Sequence, residues 1–284
     1  MAEKKLKLGL ALGGGGMRGL SHVGVLKVLD RAGVNIDLLA GTSMGGVVGA
    51  MYAAGLTMAE IEEQALSLSS HAAVRRLIDL RPSFRGLVRG ERIYNHVAEA
   101  IGEDTTFAEL KRPLAMVAVD ARSGCEVLLY KGKVVDAVRA TISIPIVFEP
   151  VERDNMTLVD GGILNNVPAD VARSMGADVV VAVDVMPDFS LNTPGQPLVE
   201  PPIDPPSLPD FLQDALHIEY LMISAMTRLR LADDPPDVLI RPDIHEAIDL
   251  LIGYERAEEI IGMGEAATEA ALPAILEKLK SGSD

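Results

Sequence analysis

The sequence has no tryptophan, five phenylalanines, five tyrosines and a single cysteine among its 284 residues. So few aromatic rings leave little surface for stacking sugars or bases. The lone Cys125 excludes an intrachain disulfide framework and fits a reducing, cytoplasmic location. No stretch approaches the ~20 apolar residues of a membrane-crossing helix. The N-terminal "MAEKKLKLGLALGGGG" has the lysines and apolar run of a signal peptide, but "LGLAL" is shorter than an h-region and glycines and Arg18 follow it. It reads as a first strand. Positive charge is scarce as well: 26 Lys and Arg against 41 Asp and Glu leave a net charge of −15. That balance argues against nucleic acid as a partner and against general attraction to anionic membranes. The five histidines are scattered, so no metal or other cofactor is called for.

What is present is a globular composition, 48% hydrophobic and 24% charged, with strand and helix patterns in alternation. Strands are expected over 6–12, 35–41, 113–120 and 125–130, the last two placed to pair antiparallel, and near 146–151 and 156–159. The fully apolar "ADVVVAVDV" (177–185) reads as a strand covered on both faces. Helices are expected over 17–32, 44–55, 133–140, from about 167, 208–231 and about 255–280, and they dominate from 56 to about 101. "DVLIRP" (237–242) reads as an edge strand. Repeated βα order predicts an α/β layered fold. No internal repeat and no second core emerge, so 1–284 reads as one domain with a mainly helical part at 208–284. Residues 187–209 carry eight of the 17 prolines and cannot be helix or central strand. They are expected to form a surface flap over the site or a plain connection.

Two glycine loops carry chemistry. Gly14-Gly15-Gly16-Met17-Arg18-Gly19 matches G-x-G-x-x-G between a strand and a helix, the dinucleotide fingerprint. The acid that should end the next strand is missing: Asp37 lies near its start, and it closes on Ala40-Gly41. A nucleotide-binding or regulatory protein therefore remains only an alternative. At the end of that second strand stands Gly41-Thr42-Ser43-Met44-Gly45, a G-x-S-x-G nucleophile elbow. Glycines two before and two after Ser43 leave room for neighbouring backbones on a sharp strand-to-helix turn. A nucleophilic serine needs a base. None of His22, His71, His96, His217 and His245 sits beside a strand end in a recognisable setting. Chain order still permits an α/β-hydrolase triad of Ser43, Asp160 and His217 or His245. Asp160 stands at a strand end before Gly161-Gly162, which suggests backbone kept thin near a reacting group.

Taken together, "GGGGMRG", "AGTSMGG", "RATISIPIVFEPV" (139–151) and "LVDGGILNNVP" resemble the bacterial patatin-like phospholipases, over most of residues 7–185. The resemblance implies a three-layer α/β fold with a central, mostly parallel sheet flanked by helices. It implies a Ser–Asp dyad: Ser43 as nucleophile, Asp160 as base. It implies an oxyanion hole from the amides of Gly14, Gly15 and Gly16, with Arg18 stabilising the loop or the charge. Gly41, Gly45, Gly161 and Gly162 are the motif glycines. The expected activity is hydrolysis of a lipid, phospholipid or other carboxylic ester through an acyl-enzyme, without cofactor or metal.

One local patch departs from the acidic average. Residues 75–92, "RRLIDLRPSFRGLVRGER", set Arg75, Arg76, Arg81, Arg85, Arg89 and Arg92 against Asp79 and Glu91, with apolar residues between them. It reads either as a solvated helical segment or as an edge for peripheral membrane contact.

Overall fold

The "LGLAL" run forms the strand β1 (Leu8–Leu12) and buries every one of its residues. In this computed structural model residues 6–67, 80–83, 86–189, 194, 210–245, 248 and 254–280 are described. A 3-10 turn, Gly16–Leu20, follows β1 and leads into α1 (Ser21–Arg31), then β2 (Leu38–Thr42), α2 (Met44–Ala54) and α3 (Met58–Ser67). Two short strands, β3 (Leu80–Ser83) and β4 (Gly86–Val88), precede α4 (Glu91–Ile101). Next come β5 (Leu114–Asp120), β6 (Cys125–Leu129), α5 (Val134–Thr141), β7 (Val151–Arg153) and β8 (Met156–Asp160). The short α6 (Gly162–Asn165) and α7 (Ala169–Ser174) lead to β9 (Val179–Val183). The chain ends in α8 (Asp210–Asp233), β10 (Val238–Ile240) and α9 (Ala257–Lys280).

Eight strands build one sheet in the order β10-β9-β1-β2-β5-β8-β7, with β6 on β5 outside that path. The first five run parallel, whereas β6 and β8 run antiparallel to β5. The α/β layering expected from the sequence is therefore present. Period-2 alternation divides the sheet into two apolar faces. Leu8, Leu10, Leu12, Leu39 and Met116 face the larger core with α1, α2 and α9. Ala11, Ala40, Ala115 and Ala182 face the other, where Val171 and Ala172 of α7 pack. Small residues on that side let α7 and the turn after it approach closely: a Cβ on Gly9 would lie 3.3 Å from the Cβ of Ala172 on α7 and 2.6 Å from that of Ala177 beyond it.

The pairing along β5 decides where the site forms. Leu114–Val117 pair with β2, and Met116–Asp120 pair with β6 on the opposite edge. Ala118–Asp120 pair with β8. Because β6 occupies the other edge at 118–120, β8 must share an edge with β2. The two strands thus run head-on along β5 and both stop at Val117–Ala118, so Ser43 and Asp160 arrive at one point.

Two expectations are corrected. Helix does not fill 56–101: β3 and β4 form an antiparallel ribbon. Pro82 denies a helix its hydrogen bond there, and β4 is held by the backbone of Ile146 and Val147 and by Glu149 N–H donating to the Val88 carbonyl. Residues 146–150 are not strand, because Pro145 and Pro150 cannot donate to a ladder and Ile146 takes φ +70°. Much of the arginine-rich stretch (75–79, 84–85) and of the proline-rich stretch (190–193, 195–209) lies outside the described residues.

Helices α1 and α9 cross with their backbones nearly touching. A Cβ on Gly24 would lie 2.0 Å from the Ile261 carbonyl oxygen, and one on Gly264 would lie 2.0 Å from that of Ser21. Ion pairs of Lys27 with Glu265 (2.7 Å) and of Arg31 with Glu269 (2.8 Å) flank the crossing. Gly264→Ala is expected to force the helices apart and cost about 1–3 kcal/mol or more. Gly262→Ala, one turn-face away with open space around it, should gain about 0.5–1 kcal/mol from helix propensity. Urea denaturation of both variants checks this; a Gly264→Ala protein as stable as the parent contradicts the crossing.

Candidate active site

Ser43 has φ +54° and ψ −126°, a region that side chains rarely enter and that persists only where the surroundings enforce it. The enforcement is visible. Thr141 Oγ1 accepts the Ser43 amide at 2.9 Å and donates to the Val117 carbonyl at 2.6 Å. Thr42 Oγ1 donates to the Asn165 carbonyl at 2.8 Å. A Cβ on Gly45 would lie 2.1 Å from the Leu12 carbonyl oxygen, and one on Gly41 would lie 2.8 Å from that of Gly45. Only glycines leave space for the elbow against β1.

Asp160 follows from β8. Its amide donates to the Ser143 carbonyl at 2.9 Å, and its Oδ1 accepts the Gly162 amide at 2.8 Å. Gly161 must be glycine, since a Cβ there would lie 2.4 Å from the Val117 carbonyl oxygen. The other oxygen, Oδ2, is buried and accepts no hydrogen bond of normal geometry among the described residues. Burial pushes the Asp160 carboxyl up to about 7, although the neighbouring Ser43 hydroxyl and the Gly162 amide pull it down.

The glycine loop closes the third side, and here two expectations change. The Gly14 amide does not face the site: it donates to the Asn166 carbonyl at 3.1 Å, while Asn166 Nδ2 donates to the Gly14 carbonyl at 3.1 Å. That mutual pair anchors the loop to the segment after Asp160. Among the described residues no acceptor takes the Gly15 amide, and Gly16 opens the 3-10 turn, whose first amides have no partner within it. Arg18 is buried and turns away from Ser43. Its guanidinium donates to the carbonyls of Val185 (2.5 Å), Ile244 (3.1 Å), His245 (3.0 Å) and Ile248 (2.9 Å). It ties the loop to the C-terminal part of the chain instead of meeting charge at the serine.

Gly15, Ser43, Asp160, Gly162 and Asn166 line one pocket, together with Ile144, Met186 and, from α8, Leu216, Glu219, Tyr220 and Ile223. Among the described residues no histidine lines it. His22 is fully buried behind the loop, where its Nε2 contacts the Gly13 carbonyl at 2.7 Å. Desolvation lowers its pKa to about 4, against the opposing effect of that hydrogen bond, so the ring is neutral and Nε2 is the donor. His217 is exposed and packs edge-on against Phe189. A Ser–His–Asp triad is therefore not assembled among the described residues. Among them, too, no cluster of three or more metal-ligating side chains occurs, and no helix is long and apolar enough to cross a membrane.

Residues 10–173 match the family described as patatin-like phospholipase. The chain belongs to that family. It is 36% identical over 199 residues to patatin-like phospholipase domain-containing protein 6 of mouse, a match covering 67% of this chain and 14% of that protein. It is 32% identical over 281 residues to an uncharacterised NTE family protein of Mycobacterium tuberculosis, covering 94% of this chain and 46% of the relative. The chain thus spans less than half the length of these relatives. Among solved structures, VipD from Legionella pneumophila aligns with a TM-score of 0.51 at 12% identity, over 98% of this chain and 67% of that one. That likeness concerns the fold alone.

Thr141, Asn166, His22 and Glu219 escaped the sequence reading as parts of this site. Thr141 and Asn166 lie inside the quoted family motifs, which was the available signal. His22 and Glu219 carry none, since each sits in an ordinary helical pattern.

A carboxyl raised to about 7 has a thermodynamic consequence. In the unfolded chain Asp160 ionises near 4, so between pH 4 and 7 the folded state binds the extra proton. Stability from this group is full below pH 4, falls as pH rises through 7 and is level above. Asp160→Asn removes that loss. The variant is expected to unfold at higher urea than the parent at pH 8, with the gap closing toward pH 4.5. A gap that is absent at pH 8 or independent of pH contradicts the buried, raised carboxyl.

Proposed function

We propose that this protein is a serine acyl hydrolase of lipid esters, with Ser43 as nucleophile and Asp160 as its general base. One observation carries the reading: a strained serine and a buried carboxyl with a spare oxygen meet beside an unengaged glycine amide. Family membership supports the same activity. In the proposed reaction Asp160 Oδ2 takes the hydroxyl proton as Ser43 Oγ attacks the acyl carbonyl. The oxygen that becomes negative is met by the Gly15 and Gly16 amides and by the N-terminus of α2. Collapse expels the alcohol, which leaves with the proton from Asp160. A water molecule, deprotonated by Asp160, then frees the acid and restores Ser43.

Several features favour a lipid. Ile144, Met186, Leu216 and Ile223 give the pocket apolar walls. The outer side of α8 exposes Phe211, Ile218, Met222 and Leu229, which share one helix face at this spacing. The exposed, unbridged Cys125 agrees with a reducing location.

Ser43→Ala and Asp160→Asn should each reduce hydrolysis of p-nitrophenyl hexanoate to near background, and the double variant should be no worse, because the two act as one unit. Thr141→Val, which releases the elbow, should lower kcat by roughly 10–100-fold with little change in KM. The kcat/KM of the parent should rise with pH through about 7, as Asp160 loses its proton. Fluorophosphonate labelling of Ser43 is the direct check. A parent protein that takes no label, or an Asp160→Asn variant with parent turnover, would falsify the dyad.

A further inference from the structure

Glu219 is the one ionisable carboxyl that α8 turns into the Ser43 pocket, beside Leu216, Tyr220 and Ile223. Its Oε1 is buried and has no hydrogen-bond partner among the described residues. Asp160, only 5% exposed on the same pocket, presents Oδ2 in the same condition. Asp160 has the neighbouring Ser43 hydroxyl as its donor. The Glu219 oxygen calls for a donor from outside the protein, because buried acceptors are otherwise satisfied. Glu219 also lies outside the family match at 10–173.

The acyl chain does not need a carboxylate. Desolvating one against an alkyl chain is unfavourable, and Ile144, Met186, Leu216 and Ile223 already offer apolar contact. The polar half of a lipid ester is its alcohol. We propose that Glu219 selects that alcohol: its carboxylate favours a leaving group that is cationic or carries a hydroxyl donor, and excludes one that carries negative charge. This inference rests on the acyl-hydrolase reading above. Its physical basis is the low dielectric of a half-buried cleft, where like charges repel far more than in water.

The ionisable groups facing Glu219 are Asp160 from β8, the Ser43 hydroxyl at the elbow, and Tyr220 on its own helix. Burial, then the charge of Asp160, push Glu219 up to about 7. Discrimination between charged alcohols should therefore grow as pH rises through 7. Protonation of Asp160 scales all substrates alike, so the ratio between two substrates isolates Glu219.

The test uses three soluble esters of one acid: hexanoylcholine, 2-hydroxyethyl hexanoate and 2-sulfoethyl hexanoate. The two charged ones keep their charge at every pH used. At pH 8 the parent should show kcat/KM at least about tenfold higher for the choline and hydroxyethyl esters than for the sulfoethyl ester. The ratio of choline to sulfoethyl ester should shrink at pH 6 and fall several-fold in Glu219→Gln. An unchanged ratio in Glu219→Gln overturns the proposal. Should that variant not fold, the parent alone decides: a ratio flat from pH 6 to 8.5 overturns it, and a ratio that rises through 7 sustains it. Hydrolysis of all three esters at equal rates defeats the selection but leaves the hydrolase reading intact. No hydrolysis of any ester, with no fluorophosphonate label on Ser43, defeats both.

Discussion

Strand β5 gives one edge to two strands that run at each other, and the site exists because both stop at Val117–Ala118. A continuous neighbour would have satisfied the whole edge. Two head-on neighbours leave a break in the ladder, and the Val117 carbonyl stands in it. Thr141 fills the break, donating to Val117 and accepting the amide of Ser43. The same carbonyl excludes any side chain at Gly161. One gap in a hydrogen-bond ladder thus sets the serine, the aspartate and the threonine that spaces them. Backbone strain at Ser43 survives because sheet, helix and Thr141 all over-determine it.

The electrostatics follow from the same burial. A serine hydrolase commonly relies on histidine because imidazole titrates near the pH of the cell. Among the described residues no histidine lines the pocket, and His22, behind the loop, is too desolvated to hold a proton at neutral pH. Burial instead lifts an aspartate to about 7, close to the ordinary value of imidazole. In the proposed reaction the carboxyl would serve as base through loss of its solvent, not through gain of a partner. The consequence is a site that lowers stability above neutral pH, the usual relation between a strained site and its scaffold.

Much of this was legible in the sequence, and the failures have a common cause. Strands such as 177–185 and the elbow at Ser43 are local: apolar runs and glycine spacing report backbone shape directly. Asp160 emerged only as an aspartate at a strand end, with a role supplied by resemblance, because its meeting with Ser43 is set by register on β5. Gly14 and Arg18 were correctly placed in the loop, but the Gly14 amide was wrongly aimed, and of the two roles left open for Arg18 its contacts fit the loop and not the charge. Sequence shows which groups are near a turn, not which way an amide or a guanidinium points, and Asn166 and the carbonyls near 244–248 claimed them. The β3–β4 ribbon was missed because its partners, Ile146 and Val147, lie some sixty residues away.

The proposed chemistry and the proposed choice of substrate draw on different parts of the chain. Glycine loop, elbow and Asp160 all lie within residues 10–173, the part shared with the family. The wall that α8 adds, Leu216, Glu219, Tyr220 and Ile223, lies beyond it. A wall residue can change without disturbing the register on β5, since the hydrogen bonds that join Ser43, Thr141 and Val117 do not involve α8. The relay cannot change so freely, because Thr141 holds both Ser43 and Val117. On the proposed reading, α8 can vary which esters are accepted without disturbing the residues assigned to the reaction.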